Sequence, residues 1–250
     1  MTVIKLDNLT KYYEVDGKRL TVLDGVSLSV GEGEFVSLIG PSGCGKSTLF
    51  NIICGLVKPD GGRVVLGGRE GVRPQDIVSY MPQKDYLLPW RTVLDNVILA
   101  REVAGVNRNE AKSEARELMP LFGLTGFENS FPSELSGGMR QRAALMRTAL
   151  ARRSVWLLDE PFGALDAITR SKMQQWLLEV WNSFRQTVFF VTHDIDEALF
   201  LSDRVYVLTP RPSRVSLHLE VDLPRSRSAE ILTEPRFLLL KRRVMDVLEL

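Results

Sequence analysis

Cysteine is scarce in this chain. Only Cys44 and Cys54 occur in 250 residues, too few for a disulfide scaffold, which suits a reducing cytoplasm. Cys54 reads as a small buried apolar residue of a helix, and Cys44 as a loop thiol open to oxidation. An excess of one charge is also missing. Lys and Arg number 32 against 31 Asp and Glu, a formal net charge of +1. That leaves no global basic field of the kind non-specific nucleic-acid binders use. No apolar run approaches the ~18 residues of a membrane span, and Met1-Thr2-Val3-Ile4-Lys5 opens without the apolar stretch of a signal peptide. What is present is a globular composition, 44% hydrophobic and 25% charged. It is enough for one large α/β domain, or a domain with a subdomain.

The most specific stretch is Gly40-Pro41-Ser42-Gly43-Cys44-Gly45-Lys46-Ser47-Thr48, which fits Gly-x-x-x-x-Gly-Lys-[Ser/Thr], the phosphate-binding P-loop. It follows a buried-strand pattern, Glu34 to Ile39, and precedes a helical one, Ser47 to Leu56. Glycines let successive backbone N–H groups turn inward at phosphate oxygens, and the helix start adds its positive dipole end. Lys46 supplies a cation for the β- and γ-phosphates, and the Ser47 hydroxyl can ligate Mg²⁺. The stretch predicts a nucleoside triphosphate site.

Residues 3–9 and 22–30 read as strands, Val26, Leu28 and Val30 alternating with Ser27 and Ser29. Tyr12-Tyr13 stands between them, before a turn at Asp16-Gly17; one ring could stack on a nucleobase, or both could pack on a strand. Further strands are expected at 61–68 and at Ile77 to Met81, which runs into Pro82-Gln83. Helical periodicity over Thr92–Ala104 and Asn109–Phe122 marks a helical insertion. Before it, Asp85-Tyr86-Leu87-Leu88-Pro89-Trp90 is apolar for a loop, fit either to dock a partner or to fold beneath the first helix. Leu135-Ser136-Gly137-Gly138-Met139-Arg140-Gln141-Arg142 opens a third helix with Ser136 as N-cap, a second anion-binding device by geometry. Val155 to Leu158 is a buried strand ending at Asp159-Glu160. Acids at a strand's carboxyl end face a site, so Asp159 suits a Walker B role on Mg²⁺ and Glu160 the activation of water. After Gly163-Ala164-Leu165-Asp166 comes an amphipathic helix whose apolar face, Met173, Trp176, Leu177, Val180, Trp181 and Phe184, reads as core. The strand Thr187–Thr192 ends at His193, placed for a γ-phosphate contact. A basic amphipathic helix around Pro235 to Leu250 closes the chain, read as packing on its own domain in preference to a membrane surface.

The order P-loop, Gln83, Leu135-Ser136-Gly137-Gly138, Asp159-Glu160, Asp166 and His193 resembles the ATP-binding cassette (ABC) ATPases over residues 3 to about 210. The resemblance implies an α/β P-loop NTPase cassette: a RecA-like mixed-sheet core with an antiparallel β subdomain and a helical subdomain. Residues 1–83 and 151–210 would form the core, 84–150 the helical subdomain with the signature, and 211–250 a C-terminal extension packed on the core. It implies Tyr13 as the aromatic on adenine, with Tyr12 as the fallback, and Gln83 as the Q-loop residue on Mg²⁺ or the attacking water. It implies Glu160 as catalytic carboxylate, His193 as switch histidine and Asp166 as D-loop acid at a dimer interface. Leu135, Ser136, Gly137, Gly138 and Met139 would be the signature, reading ATP bound to a second copy of the chain; Met139 stands where Gln is commonest.

The resemblance further implies ATP and Mg²⁺ as cofactors, a homodimer that sandwiches ATP, integral membrane permease subunits, and indirectly a periplasmic or lipid-anchored substrate-binding protein. The chain would sit peripherally on the cytoplasmic face of the inner membrane. Gln83–Trp90, Leu135–Arg142 and Asp159–Asp166 resemble most the nitrate/sulfonate/taurine importer branch, which includes importers of pyrimidine vitamin precursors. The other reading is a soluble ABC ATPase acting on DNA or ribosomes. Such proteins carry two cassettes or a long coiled-coil insertion, neither of which is seen, and the near-zero charge argues against nucleic acid.

Overall fold

The computed structural model describes residues 1–225 and 227–249. The chain begins with β1 (Thr2–Val15), β2 (Lys18–Gly31), β3 (Phe35–Ile39), α1 (Lys46–Ile53), β4 (Gly61–Leu66), α2 (Pro74–Ile77) and β5 (Val78–Met81). Then come α3 (Val93–Val97), α4 (Leu99–Val103), α5 (Arg108–Phe122), α6 (Gly137–Leu150), β6 (Val155–Asp159) and α7 (Ala167–Phe184). The last elements are β7 (Thr187–Val191), α8 (Ile195–Leu201), β8 (Arg204–Leu208), β9 (Val215–Glu220) and α9 (Pro235–Leu248). None of the described helices is long and apolar enough to cross a membrane. The chain divides into two compact units, Met1–Val78 with Arg185–Leu250, and Ser79–Phe184. The second takes in β6 and α7 as well as residues 84–150.

In the first unit β1 and β2 form an antiparallel hairpin, with β4 on the other side of β1. Its turn is Asp16-Gly17, both at positive φ, the backbone that a two-residue hairpin demands. Both strands run past the expected 3–9 and 22–30 and meet at the turn, so Tyr12-Tyr13 lies on β1. Polar residues there hide the alternation: Lys11 pairs with Asp60, and the Asp60 carboxylate accepts the Tyr12 N–H at 2.8 Å. A second sheet contributes β7-β3-β8-β9 in that order. β3 runs parallel to β7 and β8, and β9 antiparallel to β8. Every residue of β3 and β7 is buried, the near-continuous apolar run of a parallel sheet covered on both faces. The helix α9 buries Phe237, Leu240 and Val244 against α8, β8 and β9. Arg227 closes the carboxyl end of α8, its Nη1 donating to the carbonyls of Leu199, Phe200 and Ser202 at 2.8–3.0 Å.

In the second unit β5 lies beside β6, and helices α3 to α6 pack on one another. The expected helix 92–104 is two short ones. The Ile98 N–H reaches Leu94 O at 3.3 Å while Arg101 N–H turns tightly onto Ile98 O at 2.9 Å, a local 3₁₀ tightening. Ile77 ends α2, which Pro74 starts, so β5 begins one residue later than the sequence suggests. Of the α7 face, Met173, Trp176, Leu177, Val180 and Trp181 are buried, and Phe184 rests half-buried against Phe122 and Trp156. The 85–90 stretch is mixed in its burial. Leu87 turns in and is buried, while Tyr86 and Trp90 are 62% and 72% exposed.

Candidate functional site

Three glycines dictate the loop between β3 and α1. Gly45 has φ +111°, and a Cβ there would stand 2.7 Å from Val22 Cγ1. At Gly40 a Cβ would meet Cys44 Sγ at 2.9 Å and Leu208 O at 3.1 Å, and Gly43 has φ +76°. Only glycine supplies this curl without strain. Lys46, first residue of α1, folds back into it and is buried; its ammonium donates to Gly40 O at 2.8 Å and Pro41 O at 3.1 Å. The first N–H groups of α1 have no helical partner and carry the positive dipole end, which suits an anion. Ser47 is exposed and Thr48 half-buried.

The two cysteines reverse their expected exposure. Cys44 is buried and Cys54 half-buried. The chain after β8 lies on the loop: Leu208 backs Gly40, and the buried Ser213 hydroxyl donates to the Cys44 carbonyl. Burial pushes the Cys44 thiol above its usual range, opposed by the Lys46 ammonium. The thiol is therefore protected and mostly protonated.

His193 stands exposed just past β7. Its neighbour Asp194 caps α8 by accepting the Glu197 N–H at 3.0 Å. His193 and Gly40, Pro41 and Ser42 line one cavity of about 340 Å³, which Val247, Leu248 and Glu249 also line. Sequence reasoning missed those last three, because periodicity gave α9 no destination for its end. Tyr13 lies apart on the hairpin. It is 38% exposed, with Lys11 Nζ 5.3 Å from its ring centre. The Arg19 guanidinium covers Tyr12 at 3.6 Å, which leaves Tyr13 the more available of the two rings.

In the second unit Asp159 ends β6, buried, and accepts the Tyr80 hydroxyl at 3.2 Å. Glu160 follows at φ +44°, a backbone that non-glycine residues seldom adopt, and takes the Gln83 side-chain N–H at 3.2 Å. Ser136 caps α6, its hydroxyl accepting the Met139 N–H at 3.3 Å. Leu135 is buried and its carbonyl accepts Arg140 Nη1 at 2.7 Å. Asp166 caps α7 through the Thr169 N–H at 3.0 Å, and that bond holds its carboxyl below the usual range. Gln83, Gly137 and Leu165 line one pocket of about 390 Å³. No local pattern marks Arg147, late on α6, which donates to the carbonyls of Asp85 at 2.5 Å and Tyr86 at 2.8 Å. Arg147 therefore ties the loop after Gln83 to the helix that Ser136 starts.

The family described as ABC transporter matches residues 23–163. The chain is 42% identical, over 98% of its length and 96% of the relative's, to the taurine import ATP-binding protein TauB of Rhizobium johnstonii. It is also 42% identical to the bicarbonate transport ATP-binding protein CmpD of Synechococcus elongatus, covering 97% of this chain and 89% of that one. Among solved structures it is similar to the dimeric bacterial ABC transporter cassette MJ0796, with TM-score 0.78 and 33% identity over 88% of this chain and 100% of that chain. The same cassette in a post-hydrolysis state bound to ADP and Pi gives a TM-score of 0.75.

Proposed function

The chain belongs to the ABC transporter family as an ATP-hydrolysing cassette, and from that premise we propose that it powers a bacterial importer of a small solute. The taurine and bicarbonate assignments of its relatives favour a small polar solute that bears an anionic group. The observation that carries the reading is the cavity shared by Gly40, Pro41, Ser42 and His193, which gathers the start of a phosphate-binding loop and an imidazole ring.

Residues 40–48 would cradle the phosphates, Lys46 neutralising charge and His193 touching the γ-phosphate. Tyr13 would stack on adenine. Glu160 would take the proton of the attacking water, with Gln83 orienting both. No described cluster of three or more His, Cys, Asp or Glu forms a metal cage. The donors present suit Mg²⁺, which takes one or two carboxylates and leaves its other positions to water and phosphate. Ser47, Asp159 and Gln83 would hold it, and it would neutralise charge between the β- and γ-phosphates.

Leu135, Ser136, Gly137, Gly138 and Met139 would face ATP held by a second copy, with Asp166 at the same interface. Gly137 and Gly138 support this assignment. Neither has positive φ, and a Cβ at either would find only ordinary contacts at 3.4–3.5 Å. The fold of the chain does not require glycine there; close approach of a partner would. Permease subunits would dock on Tyr86 and Trp90, placing the chain peripherally at the cytoplasmic face of the membrane, with a substrate-binding protein delivering solute on the other side.

Light scattering of Glu160→Gln tests the reading. Dimers with ATP and Mg²⁺ but not with ADP are expected. A monomer with ATP demonstrably bound would overturn the ATP-sandwich arrangement for the isolated chain.

A further inference from the structure

The turn between β8 and β9 carries a second cation to the P-loop. Thr209 and Arg214 close the turn, the Thr209 N–H donating to Arg214 O at 2.9 Å while the Thr209 side-chain Oγ1 accepts the Arg214 N–H at 3.0 Å. β2 holds it from the side: Ser213 N–H donates to Val22 O at 2.9 Å, and Asp24 N–H to Ser213 O at 3.0 Å. The Ser213 hydroxyl anchors it to the loop at the Cys44 carbonyl. At its tip the exposed Arg211 sets its Nη2 2.9 Å from where a Cβ of Gly43 would stand. Gly43 takes φ +76°, a backbone that favours glycine, and the guanidinium lies directly over its bare Cα.

The two arginines of the turn differ in charge balance. Arg214 is neutralised by Asp24 at 2.6 Å, whereas Arg211 has no carboxylate partner among the described residues. An exposed arginine alone signifies nothing. This one is held by a fixed turn over the middle of a loop whose backbone N–H groups serve phosphate. Lys46, the cation of the motif, is buried and shared between two carbonyls. A planar guanidinium adds what an ammonium cannot, two parallel N–H donors matched to phosphate oxygens. We propose that Arg211 is a second phosphate-binding cation of the nucleotide site, contacting the polyphosphate chain of ATP or ADP. The proposal rests on reading residues 40–48 as that site.

The test is equilibrium binding of ATP, ADP and adenosine to the full chain, wild type and Arg211→Gln, Arg211→Lys and Lys46→Ala. Melting temperature without ligand confirms that each variant is folded. Arg211→Gln should weaken ATP about tenfold, leave adenosine unchanged and reduce the salt dependence of ATP binding, with Arg211→Lys recovering part of the loss. Wild-type ATP affinity in Arg211→Gln, alongside a loss in Lys46→Ala, overturns the proposal and leaves the nucleotide reading intact. Equal weakening of ATP and adenosine in Arg211→Gln also overturns it, since the loop's shape would then be at fault. An unaffected Lys46→Ala removes the nucleotide reading and the proposal together.

Discussion

Gln83 donates its side-chain N–H to a Glu160 carboxylate oxygen at 3.2 Å, and Glu160 accepts it from a backbone held at φ +44°. A left-handed conformation costs an L-residue about 1–2 kcal/mol, and such strain persists where the surroundings over-determine it. Asp159 lies buried on the strand just before it, so the kink swings the next carboxylate off the strand's end.

Catalysis and stability should separate at Glu160. Glu160→Gln is expected to lower the turnover of ATP about 10²–10⁴-fold with little change in ATP affinity. Glu160→Gly should be equally inactive yet more stable than Glu160→Ala by about 0.5–1 kcal/mol, because glycine accepts the positive φ. Urea unfolding of the two variants reads the difference. Equal stabilities would show that the kink stores no strain.

The loop that follows Gln83 should depend on a residue far along the chain. Arg147 holds the carbonyls of Asp85 and Tyr86 and Arg140 reaches the Asp85 carboxylate at 3.4 Å, so the loop is fastened to α6 twice. Arg147→Ala should raise amide hydrogen exchange across 85–90 at least about tenfold, corresponding to the loss of one charge-assisted hydrogen bond. Exchange in β3 and α1 should not change. Arg147→Lys, with a single ammonium for two carbonyls, should fall between. Uniform acceleration over the whole chain would mean global destabilisation instead.

Legibility in the sequence followed the range of the interaction. Gly40, Gly45 and Lys46 announce themselves by spacing, because the loop's geometry is local, and the Asp159-Glu160 pair by standing at the end of a buried run. The α/β architecture followed from the same signals. The reach of β1 and β2 did not, since Lys11 pairs with Asp60 and Arg19 covers the Tyr12 ring, side-chain contacts that no alternating pattern signals. Nor did the reversed exposure of Cys44 and Cys54. Cys44 is covered by Ser213, whose approach no local pattern encodes. Arg147, Arg211 and the end of α9 were invisible for the same reason: each acts on a segment distant in sequence.

Acid should probe the Asp166 cap. The Thr169 backbone N–H, then its hydroxyl, lower the Asp166 pKa from 3.8. A carboxyl depressed on folding adds stability at pH above its unfolded value, and that stability drains away as pH falls through the folded value. Asp166→Asn keeps the cap acceptor without the titration. Melting temperatures of the two proteins should run parallel down to about pH 5 and converge, or cross in favour of Asn, below about pH 4. Curves parallel to about pH 3 would show that the cap does not depend on the charge.

The sharpest dependence of the P-loop on the distant chain is expected at Ser213. Its hydroxyl holds the Cys44 carbonyl, and both residues are buried. In a trans peptide the C=O and the following N–H point in opposite directions, so holding the Cys44 oxygen outward toward Ser213 turns the Gly45 N–H the other way, into the curl. Ser213→Ala leaves that carbonyl buried and unpaired, at a cost of about 1–3 kcal/mol. If the bond only stabilises the fold, the variant melts lower and ATP raises its melting temperature as much as in the wild type. If it also orients the loop, the ATP-induced rise shrinks as well, because stabilisation by a ligand follows its affinity. We expect both effects, with Ser213→Thr restoring the hydroxyl and part of each. An undiminished ATP response in a destabilised Ser213→Ala would confine Ser213 to structure and leave the Gly45 N–H oriented by the glycine backbone alone.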